Sequence, residues 1–211
     1  MNLNYRPPFF VQKLFRNFIW NTSNNKILLT FDDGPTESVT LKILSVLRNN
    51  KIKSVFFCVG NNIIKYPSLV EKILEDGHTI ANHTMNHKLL TKLNREEATK
   101  EIQLFNNFMK EKFNYKVKYF RPPYGRFNLK TNRILTKLGL KCVMWNLLTY
   151  DFQNSIDKVK FGINNYLKEN SIIVLHDNIK CSGIIEEALN YTIEQADRKG
   201  FNFGEPEDCL K

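Results

Sequence analysis

The chain has 211 residues, of which 42% are hydrophobic and 25% are charged, values typical of a single globular domain with a sizeable core. Its formal net charge of +10 favours an anionic partner, but the lysines are spread along the chain without a basic block, so we expect no nucleic-acid partner. No apolar run approaches the roughly 20 residues that cross a bilayer, which argues against a transmembrane helix.

The first element in chain order is an aromatic and basic segment over residues 5–20. Its basic residues are Arg6, Lys13 and Arg16. Phe10, Leu14 and Phe18 recur at helical spacing, which predicts an amphipathic segment. It belongs to a predicted extension, residues 1–25, and we prefer an interpretation in which this extension packs on the following domain. Peripheral contact with an anionic membrane through residues 5–20 is the alternative.

From residue 26 to residue 211, one predicted domain alternates strand-like with helix-like runs. Short, continuously apolar runs predict strands over residues 26–33, 54–60, 78–84, 118–124, 141–148 and 171–177, with a weaker one over 201–204. Repeated strand–helix units predict an α/β fold with a parallel sheet, either closed into a barrel or open. The first strand ends in Asp-Asp-Gly-Pro rather than a glycine-rich phosphate loop, which disfavours a nucleotide-binding domain.

Two of the intervening runs carry clear helix signals. Residues 38–50 place Leu41, Leu44 and Leu47 at helical spacing, and residues 94–114 begin with Asn94 followed by Glu97, the pattern of a capping box. Gly77, Gly139 and Gly200 are predicted to end helices before the return to a strand.

The four cysteines form no Cys-x-x-Cys motif. Cys58 and Cys142 lie in apolar strand-like runs, which predicts buried free thiols. A disulfide between Cys181 and Cys209 stays open on sequence grounds.

Polar, chemically able residues recur where the predicted strands end. They are Asp32, Asp33, His83, His87, Arg121, Tyr124, Asp151 and His176. In a βα barrel the C-terminal ends of the strands face one shared active site, so these side chains are expected on one rim.

His83 and His87 are four residues apart, so one turn of chain brings both imidazoles to one side. Two imidazoles and one carboxylate form a typical catalytic zinc site that leaves a position open for water. One of Asp32 and Asp33 is then the third ligand, and the other is a candidate general base. The alternative is that the Asp-Asp-Gly-Pro stretch is only a turn.

Four motifs follow one another along the chain: TFDDGP at 30–35, NHTMNH at 82–87, RPPYG at 121–125 and VLHD at 174–177. Together they resemble the polysaccharide deacetylase family, which is carbohydrate esterase family 4, the NodB-type deacetylases. The resemblance covers about residues 26–204. It implies a distorted, incomplete (β/α) barrel of about seven units and a metal-dependent hydrolase that removes N-acetyl groups from a glycan of the N-acetylglucosamine type.

The resemblance also implies roles for individual residues. Asp32 resembles the catalytic base, Arg121 the arginine that holds it, His176 the general acid and Asp151 the carboxylate that orients the acid. Asp33, His83 and His87 match the metal ligands. The backbone N–H of Tyr124 matches an oxyanion-hole donor. Substrate contacts are expected from Pro123, from Leu175 as part of an acetyl-methyl pocket, and from Trp145, for which a place in the core is an equal alternative.

The implied cofactor is a divalent metal, with zinc preferred and cobalt or nickel possible for this ligand set. Two other functions stay open: hydrolysis of a small non-sugar amide, and metal-containing glycan binding without catalysis. The N-terminus lacks the apolar run and cleavage site of a signal peptide, which favours the cytoplasm and leaves export as an alternative.

Overall fold

The computed structural model describes residues 5–211. Seven short parallel strands form one curled sheet in the order β5-β4-β3-β2-β1-β7-β6. The strands are β1 Leu28–Asp32, β2 Val55–Cys58, β3 Thr79–Asn82, β4 Tyr119–Phe120, β5 Lys141–Cys142, β6 Leu147–Leu148 and β7 Ile172–His176. The sheet is the distorted, incomplete (β/α) barrel that the family resemblance implies, with β5 and β6 as its two edges.

Helices follow the strands and cover the outer face of the sheet. The α-helices are α1 Phe9–Leu14, α2 Glu37–Asn49, α3 Gly60–Lys65, α4 Pro67–Glu75, α5 Arg95–Phe113, α6 Leu129–Lys137, α7 Ile156–Tyr166, α8 Ile185–Arg198 and α9 Pro206–Cys209. Short 3-10 helices span Leu90–Lys92, Pro123–Gly125, Asp151–Gln153 and Ile179–Cys181. Within the described residues, no helix is both long and apolar enough to cross a membrane.

Side chains on the strands alternate between two apolar layers, as the pleat of a β-strand requires. In β1, Leu29 and Phe31 pack with the helices, whereas Leu28 packs with Val55 and Phe57 inside the barrel. Both layers are buried, which explains why the strands appear in the sequence as continuous apolar runs.

The predicted strand over residues 141–148 is wrong as a single element. β5 pairs with β4 at one edge of the sheet, and β6 pairs with β7 at the other. The four residues between them, 143–146, cross the open side of the barrel. Most residues of the two strands and of the crossing between them are buried, so the whole stretch is largely apolar and resembles one strand in the sequence.

The predicted strand over residues 201–204 is also wrong, because only Phe203 bridges to Ile27. The described residues nevertheless form seven strands. The predicted fifth strand is two strands in the structure, and the predicted seventh is absent.

The segment over residues 5–20 spans the gap between the two sheet edges. The Tyr5 carbonyl accepts a hydrogen bond from Leu148 N–H (2.9 Å), and Ile19 forms a parallel bridge with Val143. Between these contacts, Phe15 and Phe18 are buried against the ring of Phe127. Residues 5–20 therefore fill the seam of the barrel.

The Phe10–Leu14–Phe18 stripe expected from the sequence is not one helix face. Helix α1 ends at Leu14, so Phe18 lies outside it and is buried, whereas Phe10 and Leu14 are exposed. The proposed domain boundary at residues 25 and 26 stays a prediction.

Other local predictions are confirmed. Asn94 and Glu97 form both hydrogen bonds of the capping box that starts α5. Leu44 and Leu47 are buried on α2, but Leu41 is exposed and Ile43 takes the core position beside Leu44. The positive φ angles of the three helix-ending glycines agree with their predicted role. All four cysteines are buried free thiols, so Cys181 and Cys209 do not pair.

Candidate active site

A cavity of about 650 Å³ opens where the strands end at their C-terminal side. Asp32, Asp33, His83, His87, Tyr124, Trp145 and His176 line it. Since parallel strands deliver their C-terminal residues to one edge, side chains from distant parts of the sequence meet here.

Asp33, His83 and His87 form a compact cluster whose potential ligand atoms lie within 4.8 Å of one another. The Asp33 Oδ1 atom is 3.1 Å from His87 Nε2 and 3.7 Å from His83 Nε2. Asp33 and His87 adopt positive φ angles of 76° and 53°, conformations that non-glycine residues rarely take. Such backbone strain clusters at functional sites.

The donor chemistry of this cluster fits a divalent metal ion. Burial alone would raise the pKa of Asp33, but its hydrogen bond with His87 and the nearby imidazoles hold that pKa well below its usual range. Burial lowers the pKa of His83, which favours the neutral imidazole. An ionised carboxylate and a neutral imidazole are the forms that bind metals. His83 Nδ1 lies 2.7 Å from the Arg121 carbonyl oxygen, which orients Nε2 towards the cluster.

Asp32 lies beside this cluster and is held by a buried arginine. Arg121 Nη1 donates to Asp32 Oδ1 (2.7 Å) and to Thr30 Oγ1 (2.8 Å). Arg121 Nε donates to the carbonyl oxygen of Val143 (3.0 Å) and Nη2 to that of Met144 (2.8 Å). A fully buried charge is stable only when paired and hydrogen-bonded, and Arg121 satisfies both conditions.

His176 is the register partner of Asp32 across the β1–β7 pair. Its Nδ1 lies 2.7 Å from Asp151 Oδ1, and its backbone N–H donates to Asp151 Oδ2 (2.6 Å). Burial works to lower the pKa of His176, but the charge and hydrogen bond of Asp151 outweigh it and raise that pKa to about 9. The Asp151 carboxylate therefore favours the protonated imidazolium of His176 and occupies its Nδ1 atom.

The predicted substrate contacts divide into those that reach the cavity and those that do not. Trp145 lines the cavity wall, and so does Tyr124, which has a φ of 59°. Pro123 is buried and does not line the cavity, where its neighbours Tyr124 and Gly125 do.

Leu175 does not line the cavity either, so its prediction as part of an acetyl-methyl pocket is wrong for this structure. It packs in the outer layer of the core, and Val174 reaches the cavity instead. The reason is the alternation of β7: His176 points inwards, so Val174 shares its face and Leu175 does not.

Sequence reasoning missed several polar residues that position the main ones. Thr30 accepts from Arg121, Asn178 Nδ2 donates to Asp33 Oδ2 (3.1 Å), and Thr149 Oγ1 donates to Asp151 Oδ1 (3.0 Å). Asn62 Nδ2 donates to the Asp33 carbonyl oxygen (2.7 Å). Thr30, Thr149 and Asn178 each lie within two residues of a predicted site residue, which is the only signal the sequence carries for them.

The fold and the cavity together define a barrel hydrolase centre, with a carboxylate and an imidazolium beside a possible metal site. Comparison with known proteins then identifies the family. Residues 20–143 match the family model for polysaccharide deacetylase, and the chain belongs to this family.

Individual relatives agree with this assignment. A peptidoglycan-N-acetylglucosamine deacetylase of Bacillus cereus is 30% identical over 95% of this chain and 74% of its own length. The corresponding Listeria monocytogenes enzyme PgdA is 31% identical over 86% of this chain, but the match spans only 38% of that longer protein. A crystal structure of a peptidoglycan N-acetylglucosamine deacetylase aligns with a TM-score of 0.88 and 29% identity, covering 97% of both chains.

Proposed function

We propose that this protein is a metal-dependent deacetylase that hydrolyses N-acetyl groups on a glycan, with peptidoglycan N-acetylglucosamine as its substrate class. The observation that carries the proposal is the meeting of the Asp32–Arg121 pair, the Asp33–His83–His87 cluster and the His176–Asp151 pair at one cavity. A general base can activate the water, a metal site can polarise the carbonyl and a general acid can protonate the leaving amine, so together these groups suit amide hydrolysis.

Asp33, His83 and His87 would hold the metal, and zinc is the ion that this set of two imidazoles and one carboxylate suits best. When bound there, a divalent ion would supply Lewis-acid chemistry, polarising the acetamide carbonyl and lowering the pKa of water. Asn178 and Asn62 fix the orientation of Asp33 through its side chain and its carbonyl, respectively.

Asp32 is the proposed general base. Its Oδ1 atom is engaged by Arg121, so the carboxylate is fixed in place while it still lines the cavity. Asp32 takes a proton from the attacking water. Arg121 stays charged during the proton transfer, and its hydrogen bond limits the motion of the Asp32 carboxylate.

His176 is the proposed general acid. Asp151 binds Nδ1–H, so the proton available to substrate is the one on Nε2. Transfer of that proton to the departing amine is needed because an amide anion is a very poor leaving group. The pKa of about 9 keeps His176 charged and ready to donate near neutral pH.

The backbone N–H of Tyr124 is the proposed donor to the oxygen that becomes negative during attack. A preorganised donor of this kind costs no reorganisation when the charge develops. The left-handed φ of Tyr124 sets the direction of its peptide group in the turn before Gly125. Trp145, on the cavity wall, offers an apolar surface for a sugar ring.

The choice of peptidoglycan over chitin rests on charge and on the relatives. Lys180 is the one lysine or arginine among the described cavity-lining residues, and it favours a glycan with carboxylates. The Bacillus cereus relative, which matches nearly the whole chain, carries peptidoglycan in its name. A cytoplasmic location stays a prediction.

The testing experiment measures acetate release from peptidoglycan fragments, chitooligosaccharides and a small acetamide, with metal-loaded and chelated protein in parallel. We expect metal-dependent release from the fragments, with less from chitooligosaccharides. Release from the small acetamide alone would support a small-amide hydrolase. Binding of glycan by metal-loaded protein without any release would support a glycan-binding protein.

A further inference from the structure

Three large apolar side chains of α1 face solvent. The exposed fractions are 78% for Phe9, 72% for Phe10 and 73% for Leu14, the highest among the exposed large hydrophobic residues within 5–211. Scattered single apolar residues are normal on a surface, but three on one short helix form a patch that marks an interaction site.

Basic residues border the patch, and the segment over residues 5–20 contains no acidic residue. Arg6, Lys13 and Arg16 are exposed, and the first acidic residue of the chain is Asp32. None of these three cations forms an ion pair among the residues that the structure describes. Arg6 donates to the Tyr166 carbonyl oxygen (2.6 Å) and Arg16 to that of Lys13 (3.2 Å), but no carboxylate among the described residues neutralises the three charges.

Contacts on both sides of α1 pack its segment against the barrel. Before α1, the Tyr5 ring contacts Tyr150 (4.9 Å) and Tyr166 (5.3 Å), and Arg6 lies over the Tyr166 ring. After α1, the Phe15 ring contacts Phe127 (4.7 Å). An apolar helix fixed at both ends keeps its exposed face without collapsing onto the core.

The two anchor points also locate the patch relative to the cavity. Tyr150 directly precedes Asp151, and Phe127 follows the Tyr124–Gly125 turn that lines the cavity. Both anchors come from segments that leave the C-terminal ends of strands. The patch thus lies on the seam of the barrel between these two segments, whereas Tyr166, the other ring partner of Tyr5, is the last residue of α7.

We propose that α1, with Phe9, Phe10, Leu14 and the flanking Arg6, Lys13 and Arg16, is a docking surface for an anionic phospholipid bilayer. Aromatic and leucine side chains enter the boundary between headgroups and acyl chains, while arginine and lysine bind the phosphates. The mixture of apolar and uncompensated basic groups selects this occupant over a second copy of the chain, whose own patch would repeat the same charges. This surface is independent of the proposed deacetylase activity.

The test is co-sedimentation of the full chain with vesicles of phosphatidylcholine alone and of phosphatidylcholine with phosphatidylglycerol. We expect binding to the anionic vesicles, and a loss of at least about tenfold in partitioning for the Phe9→Ser/Phe10→Ser/Leu14→Ser variant. The control with the same number of changes, Leu41→Ser/Ile64→Ser/Leu104→Ser, removes exposed aliphatic side chains elsewhere and keeps wild-type binding.

A second pair of variants separates the docking surface from the overall charge of the protein. Arg6→Gln/Lys13→Gln/Arg16→Gln should weaken binding to anionic vesicles by about fivefold per residue removed. Lys100→Gln/Lys110→Gln/Lys112→Gln removes the same charge from α5 and should change it little. Equal losses in both triple variants, or full binding by the serine variant, would overturn the proposal. Self-association in sedimentation velocity that the serine variant abolishes, without vesicle binding, would assign the patch to a second copy.

Discussion

Arg121 Nη1 lies 2.7 Å from Asp32 Oδ1, and this contact joins β4 to β1 across the interior of the barrel. The same guanidinium binds the carbonyl oxygens of Val143 and Met144, in the crossing between the two sheet edges. One buried side chain therefore fixes both the proposed base and the seam of the barrel.

Replacement of Arg121 by methionine should destabilise the protein strongly. It leaves Asp32 as an unpaired, mostly buried carboxylate and frees two carbonyl oxygens, a loss of about 3–5 kcal/mol when one partner of a buried pair is removed. Urea denaturation followed by circular dichroism measures it. Arg48→Met, in the exposed pair with Asp76, should cost no more than about 1 kcal/mol. Equal costs at the two sites would contradict the structural role of Arg121.

Substitution Asp32→Asn should lower kcat by about 10²–10⁴-fold, the usual contribution of a general base. The amide still accepts a hydrogen bond from Arg121, so the fold and the metal content should stay unchanged. Acetate release and metal analysis on the same sample test both expectations. Asp157→Asn, an exposed carboxylate on α7, is the matched control. Near-normal turnover in Asp32→Asn would remove Asp32 from the base role.

Substitution His87→Ala should weaken metal affinity by more than about a hundredfold, because loss of a ligand costs more than loss of its supporting contacts. His87 is only half-buried, so the truncation leaves the core intact. Metal content after dialysis against buffered zinc measures the change. His78→Ala is the control, since His78 is buried at the start of β3, where its Nδ1 accepts from Ser54 N–H. Unchanged zinc binding in His87→Ala would exclude this ligand set.

Substitution Asp151→Asn should move the loss of activity at alkaline pH to lower pH. Burial lowers the pKa of His176, but Asp151, with smaller contributions from Asp32 and Asp33, raises it to about 9, so removal of the Asp151 charge should lower that pKa. The acid would then lose its proton at a lower pH than in the wild-type protein. The pH dependence of kcat, with an NMR titration of the His176 ring, measures the shift. An unchanged His176 titration in Asp151→Asn would show that Asp151 does not control the pKa of the general acid.

The same pair contributes to stability in a defined pH window. Because the folded-state pKa of His176 is raised above its unfolded value, the stabilisation is complete below about pH 6.5 and is lost as pH rises towards 9. The difference in Tm between wild type and Asp151→Asn should therefore shrink with increasing pH across that window.

Much of the site follows from the sequence, because parallel strands bring their C-terminal ends to one edge. The sequence predicts one shared rim for five residues, and the structure places all of them in the lining of one cavity: Asp32, Asp33, His83, His87 and His176. The motifs also indicate the class of fold. Each motif is a local feature of the sequence: a Gly-Pro turn follows one buried strand, and a histidine pair follows another.

The sequence leaves two features of the structure open: which strand residues face the interior of the barrel, and how the barrel closes. The apolar run of β7 does not reveal which of Val174 and Leu175 faces inwards until His176 fixes the register. The run over residues 141–148 does not reveal that its two halves belong to opposite edges, because burial during a crossing resembles burial in a strand. Contacts such as that of Asn178 with Asp33 depend on loop geometry that periodicity does not encode.

The pairing of β1 with β7 has a consequence for the order in which the enzyme becomes active during synthesis. Asp32 leaves the ribosome long before its register partner His176. Until β7 is made, one edge of β1 has no strand beside it, and contacts of this sequence separation form slowly. We expect the metal ligands to be present in the nascent chain well before the acid joins the base. Hydrolysis therefore has to wait for the last strand.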